Sequence, residues 1–201
     1  MKIIIMLAAL LFAGCGTGSK SISSIAYYDL GAVQPAPNNR IVASLRSIDV
    51  FAVSWLDSSA MQYRLLYAAN QRRQNYAESR WVAPPAELLG HALRKRMLSG
   101  SASGACRLRV DLDEFAQIFD SAKASRVVLE ARVQLAEPTG GEILARRSFS
   151  LSRPAASADA RGGAAALAGA VEAFSTELHD WLGGLDRTAA PGLNIAQRCR
   201  S

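Results

Sequence analysis

Few residues in this chain have the type and spacing that covalent or acid–base chemistry needs. The two histidines, His91 and His179, are the side chains whose ordinary titration lies near neutral pH. His91 stands beside basic residues in a helical stretch, and His179 precedes Asp180 in another. Neighbouring residues on a helix do not face each other, so His179 and Asp180 are not expected to act as a base with its orienting carboxylate. The sequence holds no Gly-x-Ser-x-Gly elbow, no His-Glu-x-x-His, no phosphate loop and no paired-cysteine metal spacing. Asp111, Asp113 and Glu114 form the one acidic cluster. Strand alternation puts Asp111 and Asp113 on one face, where a cation is conceivable and a solvated or salt-bridged face is the better account. The expectation is a chain without catalytic residues, metal ligands or a cofactor.

The remaining reactive groups are three cysteines, and their positions say more. Cys15 ends a segment made of Lys2, the apolar run Ile3 to Phe12, and the small residues Ala13 and Gly14. A positive start, a short apolar core and small residues before a cleavage point are the parts of a secretory signal. The run falls short of the roughly 20 apolar residues that span a bilayer. Small residues directly before a cysteine resemble the lipobox of bacterial lipoproteins, with Phe12 where that box usually has leucine. The resemblance implies cleavage after Gly14 and acylation of Cys15, and Gly16 in place of aspartate favours the outer membrane. An ordinary secretory signal before a chance cysteine is the alternative. Several acyl chains anchor a protein lastingly where a single one does not. Cys106 and Cys199 are left in an oxidising compartment, where they are either a disulfide or two free thiols.

Removing residues 1–14 leaves 187 and lowers the net charge from +6 to +5, since Lys2 is the one charged residue lost. That length suits a single domain. Basic residues occur singly or in short clusters such as Arg94-Lys95-Arg96, without the long basic runs or aromatic interleaving of a nucleic-acid surface, so no nucleic-acid partner is expected. The cluster reads as the solvated face of a helix, with contact to anionic head groups as the alternative.

The elements that position these residues follow from periodicity. Residues 15–24 read as a lipidated tether. Ile25 to Gly31 is a first short strand, and Pro35 to Asn39 a loop. Ile41 to Leu56 reads as a strand covered on both sides, Met61 to Ala69 as a strand, and Asn70 to Gln74 as the hairpin connection to Asn75–Trp81. Pro84-Pro85 opens a helix to about Leu98, stopped by Ser99-Gly100-Ser101, with Arg94 and Lys95 outward. Cys106, Leu108, Val110 and Leu112 alternate with charged residues, and the pattern slips near Asp113, as at a bulge. Val127–Leu135, the turn Pro138 to Gly141 and Ile143–Leu151 form a hairpin. Leu167, Val171, Phe174, Leu178 and Trp181 make one apolar stripe on a helix from about Ala158 to Leu182, ended by Gly183-Gly184, and 185–201 reads as a loose tail. The order ββββαβββα predicts a single α+β domain over 25–184: a mixed, mostly antiparallel sheet of about seven strands packed with two helices.

In this order the chain resembles the ABC-type transport auxiliary lipoprotein family. The matching features are Tyr27-Tyr28-Asp29-Leu30-Gly31, Tyr63-Arg64-Leu65-Leu66-Tyr67, Arg80-Trp81-Val82-Ala83-Pro84-Pro85-Ala86-Glu87-Leu88-Leu89, Leu108 to Phe115, Phe119-Asp120 and the alanine-rich last helix. The resemblance implies a non-catalytic, lipid-anchored protein on the periplasmic face of the outer membrane. Its partners would be a periplasmic MCE-domain protein, an ABC permease and an ATPase that together move lipid between membranes, and it would act as a homo-oligomer. A structural or regulatory outer-membrane lipoprotein, for example a cell-wall synthase activator, is the alternative. Trp81, ahead of two prolines, reads either as an anchor facing a partner or as a core aromatic.

Overall fold

The computed structural model describes residues 24–32, 45–98, 104–137, 141–188 and 194–200. The signal segment, Cys15, the tether up to residue 23, the loop at Pro35 to Asn39, the helix stop at Ser99 to Ser101 and the turn at Pro138 to Gly140 lie outside the described residues.

Seven strands form one sheet: β1 (Ala26–Tyr28), β2 (Leu45–Ala52), β3 (Ala60–Leu65), β4 (Asn70–Trp81), β5 (Cys106–Ser121), β6 (Ala124–Ala136) and β7 (Ile143–Pro154). A 3-10 turn, Ser54–Leu56, follows β2, and the one-turn helix α1 (Leu66–Ala69) joins β3 to β4. The long helices are α2 (Pro85–Met97), between β4 and β5, and α3 (Ala160–Thr188), after β7; a short α4 (Ile195–Arg198) comes last. The α+β domain therefore stands, its strands and two long helices in the order ββββαβββα, with two short helices in addition.

β5 is the axis of the sheet. β6 runs antiparallel along one edge, and β7 continues beyond it. The other edge is shared: β2 lies parallel to Cys106–Leu112, and β3 parallel to Gln117–Phe119. The sheet forks where β2 leaves and β3 joins, and β5 carries its bulge at that point, between Leu112 and Glu114. The Val53 N–H to Leu112 carbonyl bond, 3.2 Å, is the last rung before the chain turns away. β4 pairs antiparallel with β3, and β1 lies parallel to β4.

Both long helices cover one face of the sheet. The period of two brings Ile48, Leu108, Leu135 and Ala145 into one cross-strand row, then Ala52, Leu112, Ala131 and Phe149, then Phe115, Leu129 and Leu151. Leu89, Ala92, Leu93 and Met97 of α2 and Leu167, Val171, Phe174 and Leu178 of α3 close over these rows. Phe174 is fully buried with its ring edge-on to Phe149 at 5.2 Å, a burial that stabilises by roughly 2–3 kcal/mol. α3 comes closest at Gly163, where a Cβ would lie 2.0 Å from Gln117 Oε1. Pro84 and Pro85 start α2 as proline suits a first turn, and Arg94, Lys95 and Arg96 fill its last turn, the favourable end for cations.

Several expectations need correction. α3 runs through Gly183-Gly184 to Thr188, because Leu182 and Leu185 keep its apolar stripe buried, 2% and 6% exposed. The tail is not loose where it is described: Ile195 is 2% exposed, and Cys199 is fixed to β5. β4 begins at Asn70, since α1 makes the reversal assigned to Asn70 to Gln74. β2 is not covered on both sides: Phe51 is 49% exposed.

Candidate docking surface

The face of the sheet opposite the helices carries the parity of residues that the core leaves over. One row is Asp49, Arg109, Gln134 and Arg146, the next Phe51, Asp111, Arg132 and Ser148, and the next Glu114, Glu130 and Ser150. Three groups of ion pairs organise it. Arg109 holds Asp111 through Nε and Nη2, the latter at 2.8 Å. Arg132 reaches from β6 to Asp113 with two bonds of 2.8 Å; Asp113 faces outward with Arg109 and Asp111, and the bulge after Leu112 brings Glu114 onto the same face. These bonds push both guanidinium pKa values further up, Asp111 acting on Arg109 and Asp113 on Arg132, so both stay charged at any accessible pH.

The third group lies in the fork. Glu114 accepts two bonds from Arg73, at 2.8 and 2.7 Å, and a longer one from Arg64 at 3.4 Å. The side chains of Arg73 and Glu114 are 19% and 14% exposed, so this fork-to-fork pair is largely out of water, where losing one partner is costly. Arg73 also donates to Gln62 Oε1 at 2.9 Å, and Gln62 Nε2 donates to the Trp55 carbonyl at 2.5 Å.

Two aromatic rings sit on this charged lattice with about half their surface in solvent. Phe51 is 49% exposed under the Arg109 guanidinium, 4.5 Å from its centroid, and Trp55 is 52% exposed with Arg73 at 5.8 Å. Both are held in place from behind and open in front. The chemistry available is recognition: rigid aromatic area, arginine donors and carboxylate acceptors in fixed positions, the composition favoured where proteins bind one another. Neither Phe51 nor Trp55 was singled out from the sequence. The available signal was Asp49, whose parity Phe51 shares, since a charged residue marks the face that stays open.

The residues singled out from the sequence fall elsewhere. Trp81 is a core aromatic: it is 1% exposed, 5.5 Å from Phe115, and packs the strand-to-helix turn into the core. Cys106 and Cys199, both fully buried, are joined by a disulfide with an S–S distance of 2.05 Å. The closure is reinforced by the Ala105 N–H to Cys199 carbonyl bond of 2.9 Å and by Arg198, whose Nε reaches Glu137 and Nη2 reaches Glu142, each at 2.5 Å.

Arg94 is exposed, as its outward place on the helix predicts, while Arg96 is mostly covered. Arg94 donates to the Ile48 carbonyl at 3.2 Å, and Arg96 lies 3.6 Å from Glu172 with its side chain 13% exposed. His179 Nδ1 comes within 3.5 Å of Asp180, closer than helical spacing predicts but long for a hydrogen bond. Ser175, one turn earlier, commits its hydroxyl to the Val171 carbonyl at 2.7 Å. Asp111 and Asp113 are salt-bridged, and among the described residues no cluster of three or more metal-binding side chains occurs.

On the covered face, the Tyr76 hydroxyl donates to Gln117 Oε1 at 2.8 Å, and Gln117 Nε2 donates to Ser125 Oγ at 2.8 Å. Burial, with Tyr63 and Asp159 adding to it, keeps Tyr76 protonated far beyond the ordinary phenol range. Asp159 opens α3: its carboxylate accepts from the Gly162 N–H at 2.7 Å and the Ser157 hydroxyl at 2.8 Å, and these bonds, Gly162 first, hold its pKa below the usual 3.8. Among the described residues no helix is long and apolar enough to cross a membrane.

Comparison with known proteins places this arrangement. A solved structure from Xanthomonas campestris superposes with a TM-score of 0.67 at 20% identity, covering 83% of this chain and all of that one. Another, of a protein described as uncharacterized, gives 0.60 at 15% identity over 79% of this chain and 99% of that one. At these identities the likeness is one of fold. No curated protein matches. The family model described as "ABC-type transport auxiliary lipoprotein component" matches residues 28–179, from the end of β1 into α3. The chain belongs to the ABC-type transport auxiliary lipoprotein family.

Proposed function

We propose that this protein is the outer-membrane end of an intermembrane lipid transport assembly, anchored through acylated Cys15 and docking a periplasmic MCE-domain protein whose permease and ATPase supply the energy. It catalyses nothing and works as a homo-oligomer. The observation that carries this reading is the open sheet face, where Phe51 and Trp55, about half exposed, are braced by arginines whose own charges are paired. An aromatic pair held rigid in this way loses little side-chain freedom on binding, which is the property of an interface hot spot.

The test is affinity purification of the tagged, membrane-extracted protein from its own cell, beside Cys15→Ala and a Phe51→Ser/Trp55→Ser double variant. Recovery of an MCE protein with permease and ATPase, lost in the double variant, is the expected result. Recovery of a cell-wall synthase and no MCE protein would replace this reading with a regulatory one.

A further inference from the structure

The end of the sheet around α1 has a surface unlike the charged lattice. β3 runs parallel to β5 with Leu65 beside Phe119, so α1, which packs against β5, lies next to the β5–β6 turn. Here Leu66 and Tyr67 are 40% and 52% exposed, and Ala68 and Ala69 are exposed with them. Four successive solvent-facing apolar residues occupy one extremity of the molecule. Arg72 follows on β4 and Lys123 lies in the turn, both exposed. The nearest carboxylate in the turn region, Asp120, is taken by Arg126 at 3.3 Å. The tip is thus apolar with positive charge at its rim, where Arg72 and Lys123 have no ion pair among the described residues.

Chain direction brings the anchor to the same end. β1 lies beside the last three residues of β4, and because it runs parallel to β4 the chain enters it from the direction of α1. Ala26 pairs with Ser79, next to Arg80, which pairs with Ala60 at the beginning of β3. From the level of Ala60 to Leu66 is about 20 Å, six steps of about 3.3 Å each. Nine residue steps separate Ser24 from Cys15, at most about 30 Å of chain. That length is enough to cover the distance to the tip.

We propose that this tip is a second, non-covalent membrane contact, in which Leu66 and Tyr67 enter the interfacial layer of an anionic bilayer while Arg72 and Lys123 meet its phosphates. The proposal rests on the reading of Cys15 as a lipid anchor. Tyrosine suits this depth, since its ring is apolar and its hydroxyl stays wet, and basic side chains at the rim are drawn to anionic head groups. Anchor and tip together would fix the orientation of the domain, with the β5 start and the disulfide facing away from the bilayer.

The acylated mature protein is reconstituted into vesicles of phosphatidylethanolamine and phosphatidylglycerol, and its hydrogen exchange is compared with that of the mature Cys15→Ser chain free in solution. Exchange about threefold or more slower across 66–72 and 121–124, and not at Phe51 or Trp55, is the expected result. A Leu66→Ser/Tyr67→Ser variant should still float with the vesicles and lose this protection. Unchanged exchange at the tip in a protein that floats would overturn the tip contact and leave the anchor standing. A protein that fails to float would overturn anchor and tip together. Protection on the open face instead would reverse the orientation and overturn the proposal.

Discussion

The two faces of the sheet are made by the same strands and differ by one residue of parity. Along β5, Leu108, Val110 and Leu112 are wholly buried under helices, while Arg109, Asp111 and Asp113 between them stay on the open side, paired with cations or acids. One face gains stability from apolar area removed from water; the other has charges in register, which add little to stability when exposed. The difference teaches that a strand can hold a fold and present a binding surface at once, because the period of two separates the tasks.

Substitutions should break that separation or sharpen it. The largest effect belongs to the closure of the covered layer. Replacing Cys106 and Cys199 with serine removes a link across 93 residues and should lower unfolding free energy by about 4–5 kcal/mol in the chain-entropy account, read from denaturant midpoints with and without reductant. Trp81→Ala, on the same layer, should cost about 3–5 kcal/mol through lost burial and the cavity left behind. If it instead left stability intact and weakened partner recovery, the burial of Trp81 would be the wrong account of that residue.

Glu114→Gln tests the boundary, because the fork's ion pair is on the open side yet mostly dehydrated. Leaving Arg73 and Arg64 without their carboxylate should cost roughly 1–3 kcal/mol and loosen Trp55, visible as a shift in tryptophan emission. Asp159 gives a smaller, pH-dependent effect. Its folded pKa is depressed, so its contribution is present above pH 3.8 and is lost as pH falls through the lower folded value. Asp159→Asn keeps a capping oxygen without a titrating group, and its stability, read from denaturant midpoints, should fall less between pH 6 and pH 3 than that of the parent. Smallest is Phe51→Ser with Trp55→Ser, which should stay within about 0.5 kcal/mol in stability while partner recovery collapses.

What periodicity could report is what both faces share. The alternation from Cys106 to Leu112, the slip at Asp113 and the stripe from Leu167 to Trp181 are local patterns, and the sheet, the bulge and α3 follow from them. The fork is not local. Nothing in Ile41 to Leu56 says that β2 gives up its edge of β5 to β3, so Trp55 reads as core when it is at the surface. Likewise Leu66 to Ala69 continues a strand pattern, and only the pairing of β3 with both β4 and β5 forces the chain to reverse there. Gly183-Gly184 ends a helix by propensity, but two buried leucines beyond and before it outweigh a cost of about 1 kcal/mol per glycine. Whether Cys106 and Cys199 meet depends on where α4 docks, and that is decided by Ile195 and Arg198 against distant elements.

The bond between Cys106 and Cys199 also ties the protein's maturity to its surroundings. Thiols kept reduced in a cytosol leave this closure to the Ala105–Cys199 backbone bond and the Arg198 ion pairs, and an oxidising compartment adds the covalent link. A newly made chain waiting on the cytosolic side would therefore be easier to unravel and thread through a translocation pore than the same chain after it has crossed. In an exported chain the disulfide would act as a latch, set at the destination.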